Sequence, residues 1–90
     1  MSGCSRTLVI NNRRGLHARA SAKFVALAAT LPAVVQVEKD GNRVVGTSIM
    51  GLMMLGAAMG DTITIHCEGD GCTESLDSLA AMVESRFGED

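Results

Sequence analysis

The stretch from Arg6 to Leu31, RTLVINNRRGLHARASAKFVALAATL, changes its hydrophobic period partway along, and that change decides the fold. In Arg6–Asn11, Leu8 and Ile10 alternate with Thr7 and Val9, the period-two pattern of a strand with two distinct faces. From His17 to about Thr30 the spacing becomes helical, with Ala20, Phe24, Leu27, Ala28 and Leu31 forming one apolar stripe. The polar turn Asn11–Gly15 lies between the two patterns, so the chain passes from a strand through a glycine-bearing turn into a helix. Pro32 then closes the helix and starts the next strand.

Working outward, Ala33–Lys39 and Asn42–Gly46 read as two strands joined by Asp40-Gly41, a pair suited to a hairpin turn whose central residues need positive φ. Ser48–Leu55 reads as a short helix with Ser48 as N-cap and Gly56 near its end. Asp61–Cys67 alternates Ile63, Ile65 and Cys67 inward with Thr62, Thr64 and His66 outward. After the turn Gly69-Asp70-Gly71, the positions Leu76, Leu79, Ala80, Val83 and Phe87 mark a last amphipathic helix. The expected order is βαββαβα, an α+β open-faced β-sandwich with a four-stranded antiparallel sheet and three helices on one face. Residues 1–90 are expected to form a single domain, without repeat, linker or low-complexity tract.

A chain of this length buries roughly 60–65% of its unfolded surface in one modest core, which leaves little room for an enclosed pocket and places any chemistry at the surface. With two Phe, no Trp and no Tyr, stacking on nucleobases is disfavoured. Cys4, Cys67 and Cys72 are an odd set without a CxxC, and no apolar run suggests a signal peptide or membrane span, so a cytoplasmic location is expected. Residues 1–45 carry seven Lys and Arg against two acids, whereas residues 46–90 carry one Arg against eight acids. No acid occurs in the first 37 residues, so Arg13, Arg14, Arg19 and Lys23 read as an unneutralised basic cluster beside His17. This favours an anionic ligand or an acidic partner; a polynucleotide fits poorly, because the acidic half would repel its phosphates.

Gly15-Leu16-His17-Ala18-Arg19 puts a histidine at the start of a helix, where backbone N–H groups lack intrahelical acceptors and the helix dipole is positive. A phosphoryl group on that imidazole would meet the N–H groups of Ala18 and Arg19 and the Arg19 guanidinium, with no metal or acid required nearby. Histidine suits a carrier: its neutral imidazole is a nucleophile at cellular pH, and a phosphoimidazole gives the group up readily. From the residues alone, a helix-capping histidine explains the position equally well.

The run GLHARASAKF, with Ser48 before a short apolar helix, resembles the HPr family of bacterial phosphotransferase carriers, and the resemblance spans nearly the whole chain. It implies a histidine, here His17, phosphorylated on Nδ1 by enzyme I with phosphoenolpyruvate as ultimate donor, then attacked by a histidine of an EIIA-type acceptor. Arg19 matches the arginine beside the phosphoryl group, and Ser48 matches a serine that an HPr kinase/phosphorylase modifies in many bacteria. The protein would then be no enzyme but a co-substrate of phosphotransferase enzymes, with no cofactor. Two departures stand out: Ala20 replaces the usual proline, and Arg13 and Arg14 occupy the loop where asparagine is common. Both bear on loop rigidity rather than on the donor groups. The sugar-transport branch and the nitrogen-related NPr branch both fit, with Lys23, the methionine-rich second helix and the scarcity of lysines elsewhere on the first helix leaning toward the latter.

In Ile49–Leu55 six of seven positions are apolar, too many for one core-facing stripe. Leu52 and Leu55 are expected to face the core, leaving Ile49, Met50, Met53 and Met54, with Ala22 on the first helix, as a flexible docking surface; a buried helix or a homodimer contact is the competing reading. The protein is otherwise expected to be a monomer. Ser48 serves as an ordinary N-cap in either case, and a phosphate there would put about two negative charges beside the apolar patch. A metal site on His66, Cys67 and Cys72 is disfavoured, since neighbours on a strand point to opposite faces. The rival of another class is a ferredoxin-like regulatory or binding module that is never phosphorylated, because βαββαβ is its core as well. An independent enzyme lacks a pocket and a second catalytic residue.

Overall fold

The computed structural model describes residues 3–89. Its elements run β1 (Gly3–Val9), α1 (Ala18–Ala28), β2 (Val34–Lys39), β3 (Asn42–Val45), α2 (Ile49–Met54), β4 (Thr62–Glu68) and α3 (Cys72–Glu84), followed by a 3-10 turn at Arg86–Gly88. The strands form one antiparallel sheet in the order β1-β4-β2-β3. β1 is therefore an edge strand, and the expected βαββαβα order and open-faced architecture hold. The hairpin forms as its sequence requires, with Asp40 at φ 52° and Gly41 at φ 82°.

Each element owes its place to the faces read above. Leu8, Val35, Val37, Ile63, Ile65 and Cys67 turn toward the helices and are buried; Phe24, Leu52, Leu76, Leu79 and Val83 meet them from the helical layer. Burial pushes the Cys67 thiol up to about 11, so it behaves as a small apolar side chain. The other sheet face mixes exposed Val9, Val34 and Val45 with polar contacts: Thr7 and Thr64 share a 3.0 Å hydroxyl contact, and Glu38 accepts from His66 at 2.8 Å and from Arg43 at 3.2 Å. His66 and Cys67 thus lie on opposite faces. Arg6, on the helix side of the edge strand, reaches Asp77 of α3 at 2.7 Å.

Most element boundaries differ from the sequence reading by one to three residues, as at β2, which starts at Val34 and not Ala33, and β4, which spans Thr62–Glu68 and not Asp61–Cys67. β1 starts at Gly3 and ends at Val9, because its pairing with β4 extends to Gly3 opposite Glu68. β3 stops at Val45, one residue short of the expected end at Gly46. α1 ends at Ala28, leaving Leu27 and Leu31 only half-buried. α3 ends at Glu84, and Phe87 reaches the core not from a continued helical stripe but from a left-handed turn, at φ 55°. Among buried polar groups, Ser21 donates to the Leu16 carbonyl at 3.1 Å, and Asn12 is 1% exposed.

The turn before α1 is pinned to the loop after α2. Leu16, buried itself, donates its N–H to the Ala57 carbonyl at 2.9 Å, and Gly15 adopts φ 61° directly against that carbonyl. A Cβ on Gly15 would stand 2.2 Å from the Ala57 oxygen, whereas one on Gly41, also left-handed, would meet nothing within 4 Å. Gly15→Ala should therefore cost well over the ~1 kcal/mol expected for Gly41→Ala. Urea denaturation of both variants checks this; equal losses would show that the Gly15–Ala57 approach is not tight.

Candidate functional site

His17 is the N-cap of α1, in an extended conformation (φ −73°, ψ −179°), and its carbonyl accepts the first helical bond, from Ser21 at 2.9 Å. The preceding turn is built by Asn12, whose buried side chain donates to the Gly15 carbonyl at 2.8 Å, the local backbone bonding that makes asparagine a turn residue. The imidazole is thereby aimed back over the helix start. Its Nδ1 accepts the Arg19 N–H at 3.3 Å, longer than a strong hydrogen bond. An oxygen bound to Nδ1 could take that N–H at little cost, in the positive field of the helix N-terminus.

The other ring nitrogen is not open. Nε2 lies 2.5 Å from a carboxylate oxygen of Glu89, and the second Glu89 oxygen accepts from Asn12 at 3.1 Å. The two side chains are only 13% and 19% exposed. With Nδ1 accepting from Arg19, the geometry is satisfied when Nε2 carries the proton and donates it to Glu89. The expectation of acid-free surroundings for His17 is therefore overturned: the first 37 residues lack acids, but the fold brings an acid from 72 positions away. Glu89 in turn is held below the usual carboxylate value, chiefly by its hydrogen bond with His17 and further by Asn12.

The basic cluster also resolves unevenly. Lys23 donates to the Phe87 carbonyl at 2.8 Å, so it serves the segment that carries Glu89 rather than an incoming anion. Arg13, Arg14 and Arg19 are exposed, and their guanidinium groups make no hydrogen bond or ion pair among the described residues. They remain available to an anion.

Ser48 caps α2, its Oγ accepting from the Gly51 N–H at 2.9 Å. α2 packs against α1 and β3, with Leu52 fully buried and Leu55 half-buried. Ile49, Met50, Met53 and Met54 are exposed, Met50 at 70% and Met54 at 80%, and Ala22 is exposed on α1. Met59, which the pattern reading passed over, is 60% exposed and lies beside Arg13 and Arg86. Asn12 had a detectable signal as a turn residue; Glu89 had none, because nothing local links it to position 17.

The sign of the Glu89 effect is fixed. A carboxyl whose folded-state value lies below the ordinary 4.5 stabilises the fold above that pH and loses its contribution as the pH falls through the depressed value. Glu89→Gln should therefore lower the denaturation midpoint near neutral pH and leave it unchanged well below pH 4.5, where wild type is also protonated. A difference that persists unchanged into acid would contradict the ionic contact.

Residues 4–85 match the family model described as the PTS HPr component phosphorylation site. The phosphocarrier protein HPr of Cupriavidus necator is 44% identical over 84 residues, covering 93% of this chain and 94% of that one. The phosphocarrier protein NPr of Shewanella violacea is 35% identical over 89 residues, covering 99% and 98%. Among solved structures, HPr-C-His of Thermoanaerobacter tengcongensis superposes with a TM-score of 0.92 at 40% identity, covering 97% of this chain and 98% of that one. With a histidine capping the helix that the family model spans, and with relatives aligned over nearly their whole length, this chain belongs to the HPr family of phosphocarrier proteins of the phosphotransferase system.

Proposed function

We propose that this protein is a cytoplasmic, monomeric carrier that accepts a phosphoryl group on His17 from phosphorylated enzyme I and donates it to an EIIA-type protein. The observation that carries this reading is the aim of the imidazole: Nδ1 faces the Arg19 N–H at the positive end of α1, with the Arg19 guanidinium unengaged among the described residues. Transfer of a phosphoryl group is mostly positioning and charge stabilisation, and a surface site of this kind supplies both once a partner closes over it. A ferredoxin-like module would set its first strand inside the sheet, whereas β1 here lies at the edge.

Docking falls to the exposed methionines of α2 with Ile49 and Ala22. α2 packs on α1, and the loop that follows it holds Leu16, next to His17, so a partner seated on this patch comes close to the phosphoryl site. Ser48 is the proposed point of control by an HPr kinase/phosphorylase: a phosphate there would repel an acidic partner and wet the apolar surface beside it.

Incubation with phosphoenolpyruvate and enzyme I should give an acid-labile, base-stable phosphate that is absent from His17→Ala, and Arg19→Ala should slow transfer about tenfold or more without loss of stability. Label surviving in His17→Ala would refute the carrier reading, and an unchanged rate in Arg19→Ala would remove Arg19 from the site. Met50→Glu should weaken binding of enzyme I while altering folding stability by no more than about 0.5 kcal/mol. Titration calorimetry and denaturation separate the two; a loss of stability with unaltered binding would move docking elsewhere.

A further inference from the structure

Residues 86–89 form a strap beyond the family match, which ends at residue 85. After α3, Arg86, Phe87 and Gly88 adopt left-handed conformations in succession, at φ 60°, 55° and 73°. For the two residues with a Cβ this backbone is unfavourable, and such strain persists only where surrounding contacts over-determine it. The contacts are present: Phe87 is 2% exposed in the core, its carbonyl accepts from Lys23 at 2.8 Å, and the Gly88 N–H returns to the Ser85 carbonyl at 3.1 Å. The product of this turn is the delivery of Glu89 onto Nε2 of His17, where Asn12 holds its second oxygen. Asn12 therefore clamps both the turn that aims the histidine and the carboxylate that meets it.

We infer that Glu89 is a positioning residue for phosphoryl transfer: it holds the Nε2–H of His17, closes Nε2 to phosphorylation and leaves Nδ1 as the nucleophile. This inference rests on the reading of His17 as the phosphoryl acceptor. An imidazole has two nitrogens of comparable reactivity, and a carrier that mixed them would present its cargo in two places. The carboxylate removes that ambiguity by fixing the tautomer and the ring plane, as partners of functional histidines do. In the step itself, the Nδ1 lone pair forms the N–P bond while the bond between phosphorus and the donor's leaving atom breaks, and the donor keeps that electron pair. The ring proton stays on Nε2, and the positive charge that grows on the ring as the bond forms is met by Glu89. The return step reverses these changes, with the same proton still in place.

The test uses phosphoramidate, a small phosphoryl donor that needs no docking surface and whose phosphorus–nitrogen bond breaks to release ammonia, with a proton taken from solvent. Phosphorus NMR then distinguishes Nδ1 from Nε2 phosphohistidine, and rates are measured in parallel with enzyme I and phosphoenolpyruvate. Wild type should carry the Nδ1 isomer alone. Glu89→Ala should give a mixture containing the Nε2 isomer. Glu89→Gln, which retains an acceptor for Nε2–H but no charge, should keep the Nδ1 isomer and react about tenfold more slowly, with the KM for enzyme I unchanged. Wild-type regiochemistry and rate in both variants would overturn the inference while leaving the carrier reading intact. If wild type takes no label on His17, the carrier reading fails and this inference with it. Because Glu89→Gln preserves size and hydrogen bonding, its rate remains interpretable even if Glu89→Ala loosens the strap.

Discussion

One imidazole held on both sides organises this molecule. His17 receives the Arg19 N–H at Nδ1 and offers Nε2 to Glu89, so its ring is set by the helix it caps and by a segment 72 positions later. The turn that presents it depends on Asn12, Gly15 and the Ala57 carbonyl, and the strap that closes it depends on Phe87 and Lys23. The antiparallel sheet and its helical layer serve to bring these pieces into register. β1 leads into the turn, β4 runs beside it, and α3 packs on both, so the segment after α3 emerges near the start of α1.

The division of labour follows from size. A small core leaves little room for an enclosed cavity, and the candidate site is accordingly a helix terminus with one partly shielded imidazole. Arg19, whose guanidinium is unengaged among the described residues, lies on the helix that His17 caps, and exposed thioethers project from α2, which packs on that helix.

Much of the fold was legible because its residues obey local rules. Leu8, Ile63 and Ile65 alternate as a two-faced strand must, Asp40-Gly41 adopts the positive φ that its hairpin demands, and Ser48 caps α2 as its type and place suggest. His17 was legible for the same reason, as a histidine at a helix start after a permissive glycine. What escaped is non-local or conformationally unusual. Phe87 satisfies the helical spacing of α3 yet reaches the core from a left-handed turn, since burying its ring there outweighs the cost of the backbone. Glu89 lies in the acidic half of the sequence, 72 positions from His17, and only the folded chain sets it on the imidazole. Lys23, counted with the basic cluster, is spent on the Phe87 carbonyl for that same purpose.

The most direct test of this account is the protonation pattern of the His17 ring in the folded protein, read by nitrogen-15 NMR through two-bond couplings to the ring carbon-bound protons at a pH where the ring is neutral. The account predicts that Nε2 carries the proton, exchanging slowly with water because Glu89 covers it, and that Nδ1 is unprotonated. A proton on Nδ1, or a rapidly exchanging mixture of the two tautomers, would contradict it.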